Sequence, residues 1–397
     1  MLVTAESNTA RAVSPLLGVY RQPVPVFVAG EDATLIDEGG RRYLDFTSGI
    51  GVNALGYGAA GITDAVTSAL ETGLIHTSNL FRTQPAEMLA AELVARSFAD
   101  RVFFCNSGGE ATEGALKFAR RWAGEAGGPA KHEIVALRGS FHGRLFGSLA
   151  VTDRPAYQAP FEPLMPGARF VPAGDVAAAR ATVSGERTAA LIVEPVQGEG
   201  GVVPLDPAYL AALREIADDA GALLIFDEAQ CGLGRTGTLF AYERAGVEPD
   251  ILTLAKPLAG GLPMGAVLLT ENVAGAIQPG DHATTFGGGP LVSTVALTVV
   301  RTIAEPGFLS HVRDLGDWLG ATLAGWKNGS AITDVRGLGL IWGIELNRPA
   351  APVVAAALEA GLLILSAGER VVRLLPPLAI ERTELERGIA LLKEVLA

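Results

Sequence analysis

The chain has 397 residues, 49% of them hydrophobic and 19% charged, with a formal net charge of −12. That is more apolar material than one core usually absorbs, and the acidic balance excludes nucleic acid and anionic membrane as partners, since both select basic faces. Only two cysteines occur, Cys105 and Cys231, which excludes a disulfide scaffold and any Cys-x-x-Cys metal site and fits a reducing compartment.

The N-terminus, Met1-Leu-Val-Thr-Ala-Glu-Ser-Asn, lacks a basic start followed by an apolar run, so no signal peptide is expected. No apolar stretch approaches the length of a membrane span, and the expected location is cytoplasmic. Residues 1–55 carry too little apolar material to fold alone and are expected to pack on a small C-terminal domain. Between residues 56 and 300, short apolar runs alternate with amphipathic stretches. Strands are predicted at Arg101-Val-Phe-Phe-Cys, Glu133-Ile-Val-Ala-Leu, Ala189-Ala-Leu-Ile-Val, Ala222-Leu-Leu-Ile-Phe, Asp250-Ile-Leu-Thr-Leu-Ala and Met264-Gly-Ala-Val-Leu-Leu, with helices over residues 110–121 and 207–220. Runs that are apolar throughout are what a sheet covered on both faces requires. Their alternation with helices implies a mostly parallel α/β sheet. After residue 300 the texture changes. Helices over 309–326 and 352–360 bracket the alternating segments 339–346 and 371–375, as in a smaller α+β domain spanning 301–397.

Lysine is scarce, and among Lys117, Lys131, Lys256, Lys327 and Lys393 only Lys256 stands apart. It follows a predicted buried strand and precedes Pro-Leu-Ala-Gly-Gly-Leu-Pro, a loop expected to continue neither helix nor strand. A lysine at the carboxyl end of a parallel strand points into the crevice where α/β proteins bind ligands. Partial desolvation there lowers its pKa, as imine formation with an aldehyde requires; a lysine snorkelling from a strand end looks the same in isolation. Asp227 and Glu228 end another apolar strand on the crevice side. A buried carboxylate needs a partner. A protonated pyridine nitrogen is one; a metal ion is another, but no histidine or further acid lies at ligand spacing. Gln230, three residues on, is placed to reach a ring's phenolic oxygen. The turn Cys105-Asn-Ser107-Gly108-Gly109-Glu110 joins a strand to a helix with small residues that let backbone N–H groups and a hydroxyl meet a phosphate, although plain helix caps share that look. In Phe141-His142-Gly143-Arg144, Phe141 can stack on a flat ring and Arg144 can clamp a carboxylate in a bidentate fork, or form one more surface ion pair. His142 and both cysteines read as structural.

Together these segments resemble the class III (subgroup II) pyridoxal-phosphate-dependent aminotransferases of fold type I, over essentially the whole chain. The likeness rests on Cys105-Asn-Ser-Gly-Gly-Glu-Ala, Phe141-His-Gly-Arg, Glu194-Pro-Val-Gln-Gly-Glu199-Gly-Gly, Phe226-Asp-Glu-Ala-Gln230-Cys-Gly-Leu-Gly-Arg-Thr-Gly, Thr253-Leu-Ala-Lys256 and Thr284-Thr285-Phe-Gly-Gly. The resemblance implies a large domain at 56–300 that binds pyridoxal 5'-phosphate. Lys256 would hold the cofactor as a Schiff base and then move the 1,3-proton. Asp227 would pair with the ring nitrogen, Gln230 would contact the ring oxygen, and Phe141 would lie against the ring. Ser107, Gly108 and Gly109 would hold the phosphate. Thr285 would reach the phosphate of a neighbouring subunit, which makes a homodimer with shared sites the functional unit. Arg144 and Thr284 would contact the substrate. Glu199 would mask Arg373 while a donor with a distal amine reacts, then swing away so that Arg373 binds the α-carboxylate of 2-oxoglutarate.

Within the family the likeness is to the acetylornithine aminotransferases, through Ser78-Asn79-Leu-Phe-Arg-Thr, Ser366-Ala-Gly and Arg373-Leu-Leu-Pro-Pro-Leu. This implies transfer of the δ-amino group of N2-acetylornithine to 2-oxoglutarate in arginine biosynthesis. Succinylornithine, ornithine, 4-aminobutyrate and lysine-type donors remain as alternatives. The chain departs from the family pattern at Gly109, where Ala or Thr is usual, at Thr112 and Gly114, at Gly289 and at Gly58-Ala59-Ala60. A rival reading comes from Gly56-Tyr-Gly58-Ala-Ala-Gly61, which satisfies the dinucleotide pattern G-x-G-x-x-G. No clean apolar strand precedes it and position 81 is Phe where an acid is needed.

Overall fold

The computed structural model describes residues 16–20, 25–327 and 331–396. Residues 1–8, on which the expectation of no signal peptide rests, lie outside the described residues, as does the rest of the segment up to residue 15.

The centre of the fold is a seven-stranded sheet built from β1 (Arg101–Cys105), β2 (Glu133–Leu137), β3 (Ala168–Val171), β4 (Thr188–Val193), β5 (Leu223–Asp227), β6 (Ile251–Leu254) and β7 (Gly265–Leu269), in the order β1-β7-β6-β5-β4-β2-β3. The pairs β2–β3, β2–β4, β4–β5 and β5–β6 are parallel. The strand β7 is antiparallel to both of its neighbours, β6 and β1, so β1 runs with the rest. Every residue of β2, β4, β5, β6 and β7 is buried, which is why these strands read as continuous apolar runs rather than as alternations.

Helix α1 (Gly108–Gly127) starts two residues before the predicted one, because Gly108 and Gly109 form its first turn. Its buried stripe, Ala111, Ala115, Leu116, Phe118, Ala119 and Ala123, lies over the sheet, and its small residues let it pack close. The helix α2 (Pro207–Asp219) follows β4 and is capped by Asp206, which accepts from Ala208 N. Helices α3 (Pro290–Ala304) and α4 (Pro306–Ala324) meet at a 64° bend. Among the described residues no single helix is long and apolar enough to cross a membrane.

The C-terminal sheet is antiparallel: β8 (Ile332–Leu338), β9 (Ile341–Leu346), β10 (Leu365–Ala367) and β11 (Val371–Leu374), ordered β8-β9-β11-β10. Three strands near the N-terminus, Phe27–Glu31, Thr34–Asp37 and Arg42–Asp45, form a second antiparallel set. Its last strand pairs in parallel with Leu362–Leu363, and Ser48 Oγ donates to Leu375 O at 2.7 Å. The early segment is therefore stitched to the C-terminal part.

The dinucleotide-like glycines sit in this N-terminal structure. Tyr57 bridges Asp32, Gly56 has φ +80°, and a Cβ on it would lie 2.7 Å from Asp32 O. Gly56 is thus a close-packing glycine against a hairpin, and no strand of the large sheet feeds this turn. The nucleotide reading fails on context.

Asp227 and Glu228, expected together on the crevice side, point to different neighbours. Glu228 turns away and accepts from Ala241 N at 2.6 Å and Tyr242 N at 2.8 Å, so they form no paired carboxylate site. Burial pushes the Glu228 carboxyl up to about 8 from an ordinary 4.5. The folded chain therefore holds a proton that the unfolded chain has released, and this contribution to stability is full below about 4.5 and lost as pH rises through about 8. The thermal midpoint is expected to fall across that window. Glu228→Gln should flatten the fall while lowering the midpoint at the acid end, because one of the two amides loses its acceptor. Unfolding scans at several pH values check this, and an unchanged slope in the variant would count against it.

Candidate active site

Five parallel strands of the large sheet deliver the parts of one site from their carboxyl ends, where ligands bind in such sheets. The strand β1 runs through a turn at residues 106–109 into α1. Gly108 and Gly109 are the first two residues of that helix, so their amides have no acceptor inside it. The third amide, Glu110 N, donates to Ser107 Oγ at 3.2 Å. Glu110 Oε2 accepts in turn from Asn106 N and Asn106 Nδ2, both at 2.8 Å. Two amides without an acceptor among the described residues, at the positive end of a long helix, make a cup for a phosphate. A Cβ on Gly109 would meet Leu145 at 3.6 Å and Ser107 Oγ at 3.9 Å, both ordinary contacts, so the customary alanine would fit and its absence leaves the cup intact.

The strand β2 leads to Phe141 and His142, and β5 ends on Asp227. His142 Nδ1 lies 2.8 Å from Asp227 Oδ2, with both side chains buried. An ionised carboxylate only accepts, so His142 is the donor. The other oxygen, Asp227 Oδ1, accepts from Thr253 Oγ1 at 2.9 Å and from Ala229 N at 3.1 Å. Burial alone would raise the Asp227 carboxyl, but His142, Ala229 and Thr253 outweigh it and hold the group below its ordinary value. Asp227 is thus an ionised, fixed acceptor at the end of a buried strand.

The strand β6 ends two residues before Lys256. The loop expected after it instead begins as a single 3-10 turn, Lys256–Ala259. Pro257 is compatible with this because its missing N–H is not needed in a first helical turn and its φ already suits it. Lys256 is half-buried. Loss of hydration lowers its pKa, with Glu199, Asp227 and Glu194 pulling it up and Arg373 adding to the fall. A less protonated amine is the nucleophilic form.

The strand β4 leads into the loop 194–201. Glu194 is buried and accepts from Phe141 N at 2.8 Å and from Gly198 N at 3.1 Å; burial pushes its carboxyl up to about 7. It joins the turn that carries Phe141 to the loop that carries Glu199. A Cβ at Gly198 would sit 1.8 Å from Gln230 Oε1, so any larger residue there would displace the Gln230 side chain. Glu199 Oε1 accepts from Arg373 Nη1 at 2.5 Å. Arg373 lies in β11, which is paired on both sides, so it is not an edge-strand charge. It is 2% exposed, donates also to Gln230 Oε1 at 3.2 Å, and its Nε is buried without a partner among the described residues.

The remaining sequence candidates lie at the rim. Arg144 is exposed, its guanidinium carbon 3.5 Å from the centre of the Tyr157 ring and 5.6 Å from that of Phe141. Thr284 is tied within its own chain: its hydroxyl accepts from Asn106 Nδ2 at 3.0 Å and its carbonyl from Asn79 Nδ2 at 2.5 Å. Thr285 is exposed. Residues that motif reading left without a role, His142, Glu194 and Tyr157, all touch site residues. His142 and Glu194 stood inside quoted motifs without a functional role, and Tyr157 carried no signal. Among the described residues no cluster of His, Cys, Asp and Glu is suited to a metal.

Pyridoxal phosphate fits this set. Asp227 offers an ionised acceptor for a ring N–H, Lys256 a desolvated amine for the aldehyde, Phe141 an aromatic face, and the start of α1 two free amides for the phosphate.

A family model described as aminotransferase class III matches residues 19–396, and the chain belongs to that family: it is a pyridoxal-phosphate-dependent aminotransferase of fold type I. It is 50% identical over 386 residues to the mitochondrial acetylornithine aminotransferase of Alnus glutinosa, covering 96% of this chain and 85% of that one. It is 46% identical to the acetylornithine aminotransferase of Methanocaldococcus jannaschii, covering 96% and 95%. Among solved structures, N-acetylornithine aminotransferase from Stenotrophomonas maltophilia superposes with a TM-score of 0.82 at 36% identity, covering 95% and 96%. Ornithine aminotransferase from Toxoplasma gondii superposes with a TM-score of 0.92 at 30% identity, covering 96% and 92%.

Proposed function

We propose that the protein moves the terminal amino group of N2-acetylornithine to 2-oxoglutarate, giving N-acetylglutamate semialdehyde and glutamate, as a step of arginine biosynthesis. The observation that carries this reading is the pair of half-buried Glu199 and buried Arg373 beside Lys256. A donor whose reacting amine is distal brings no carboxylate to that spot, and Glu199 keeps Arg373 neutralised. An α-keto acid brings one, displaces Glu199 and meets a guanidinium whose Nε lacks an acceptor. The names of the relatives support the choice of donor.

In this reading Ser107, Gly108 and Gly109 hold the cofactor phosphate, Phe141 covers the ring and Gln230 contacts its oxygen. Asp227 keeps the ring nitrogen protonated and is itself aimed by His142. When bound, the cofactor supplies the electron sink that makes the C–H beside the transferred nitrogen acidic. The Lys256 amine takes that proton and returns it to the cofactor side, an exchange that its lowered basicity favours near neutral pH. Arg144 binds the donor's own carboxylate, with Thr284 beside the substrate. Residues 56–300 form the cofactor domain and the described residues after 300 the small domain, on which residues 25–55 pack.

The functional unit is a homodimer in which Thr285 reaches the phosphate of the other subunit. Leu80 and Phe81, 90% and 70% exposed, and Phe286, 63% exposed, support this: an apolar surface of that kind marks an interface. The free, buried Cys105 and Cys231 support a cytoplasmic location.

The test is spectroscopic. The purified enzyme should absorb in the visible, and N2-acetylornithine added without keto acid should convert that band to a near-ultraviolet one, which 2-oxoglutarate restores. A band that ignores N2-acetylornithine but responds to ornithine, 4-aminobutyrate or a succinylated donor would overturn the substrate and keep the class.

A further inference from the structure

Glu199 sits in a segment that looks loose in sequence, Gln197-Gly198-Glu199-Gly200-Gly201, because glycines widen the range of conformations a backbone can reach. The structure holds it still. Glu194 Oε2 accepts from Gly198 N at 3.1 Å, Gln197 Nε2 donates to Arg138 O at 3.0 Å, and Arg336 Nε donates to Gly201 O at 2.9 Å. Gly200 is pressed on the turn at 138–140, where a Cβ would lie 2.7 Å from Gly139 O. Close packing, not freedom of movement, is what Gly200 provides, and the backbone is bonded on both sides of Glu199.

At Glu199 itself one side chain does the holding. Arg154 Nη2 donates to Glu199 O at 2.9 Å, and Arg154 Nη1 donates to Asp153 O at 2.8 Å. Arg154 is half-buried. Its base is fixed in turn: Asp153 N donates to Ser140 O at 3.1 Å, and Asp153 Oδ2 accepts from Gly139 N at 2.8 Å. Arg154 and the loop of Glu199 thus rest on one turn, 138–140. What is left to move is the Glu199 side chain, 30% exposed where that of Arg373 is 2% exposed. A pinned carbonyl fixes the start of that side chain, so its rotamer alone decides whether the carboxylate lies on Arg373 Nη1.

We propose that Arg154 is a positioning residue for the selection of amino donors: by holding the Glu199 carbonyl it fixes the point from which the carboxylate reaches Arg373, so that masking and unmasking are rotations of one side chain on a stationary loop. This rests on the reading that Glu199 masks Arg373 while a distal amine reacts. Without Arg154 the carboxylate covers Arg373 for less of the time. Amino acids that react through their α-amine bring a carboxylate to that spot, and they then compete better with donors that bring none.

The experiment compares holoenzyme Arg154→Ala, Glu199→Ala and the double variant with the parent in single-turnover half-reactions. The donors are N2-acetylornithine and glutamate, each read as maximal rate over half-saturating concentration. The ratio of the two values does not depend on how much of a preparation is active, so a loss of folded enzyme leaves it unmoved. Arg154→Ala should shift that ratio towards glutamate by about three- to tenfold, the range that one hydrogen bond contributes net. The double variant should match Glu199→Ala, because a pin on Glu199 has nothing to act on once the carboxylate is gone. Equal losses with both donors, or the same shift again in the Glu199→Ala background, would overturn the proposal. If Glu199→Ala shifts the ratio and Arg154→Ala does not, only the pin is wrong; if Glu199→Ala leaves the ratio unchanged, the reading of Glu199 as a mask fails and the pin with it.

Discussion

Lys256→Ala is expected to lower turnover by about 10⁴-fold or more and to remove the visible absorption of the bound cofactor, while leaving the thermal midpoint of the apo chain close to that of the parent. The size of the effect follows from two tasks on one amine: covalent attachment of the aldehyde, and proton transfer, which alone is worth about 10²–10⁴-fold. No other lysine can take over. Lys131 Nζ is committed to Gly185 O and Ala220 O, Lys117 to His282, Lys327 to Asp334, and Lys393 lies on the C-terminal helix Arg382–Leu396. Asp227 is only partly exchangeable by comparison. Asp227→Asn keeps an acceptor oxygen but loses the negative charge that stabilises a protonated ring, and a loss of about 10²–10⁴-fold is expected there. Stopped-flow half-reactions and absorbance spectra measure both variants. Turnover by Lys256→Ala within tenfold of the parent would remove Lys256 from the chemistry.

The large sheet was legible because burial on both faces leaves an unmistakable record, and six of its seven strands were found within a residue or two; β3 (Ala168–Val171), a half-buried edge strand, left no continuous apolar run and was missed. The antiparallel β7 left no such record: a buried strand reads alike in either direction. Lys256, Asp227 and the turn at 107–109 were legible because each breaks a pattern at the end of an apolar run. His142 was not. Its partner Asp227 is 85 residues away, and nothing local distinguishes a histidine that fills a turn from one that aims a carboxylate. Glu228 was expected on the crevice side with Asp227 and instead turns away to Ala241 N and Tyr242 N. Adjacent acids at a strand end look alike in sequence, yet successive side chains leave a strand on opposite faces. Tyr157 was invisible for a further reason: a cation–π contact has no spacing rule, and its helix of four residues is too short to show a period.

The second large effect concerns the masked arginine, and its two halves should split in opposite directions. Arg373→Ala is expected to lower kcat/KM for 2-oxoglutarate by about 10²–10³-fold, since a desolvated carboxylate would lose a charged partner worth about 3–4 kcal/mol. The donor half-reaction should change far less if, as proposed, Glu199 covers Arg373 while the donor reacts. Glu199→Ala should act on the other half. Arg373 would then stand uncovered in both half-reactions, so the rate with N2-acetylornithine should drop about tenfold while glutamate, an α-amino donor, gains by a comparable factor. Stability should also fall, by about 1–2 kcal/mol, as a cation 2% exposed keeps only Gln230 as an acceptor; the partial exposure of Glu199, 30%, keeps that figure below the cost of breaking a fully buried pair. Glu199→Gln distinguishes charge from shape. It retains the acceptor oxygen but not the charge, so a donor preference between those of the parent and Glu199→Ala would mean that neutralisation of Arg373 controls selection. A preference equal to the parent's would mean that occupancy of the space does, and equal losses in both half-reactions for all three variants would mean that the pair only braces β11 against the loop.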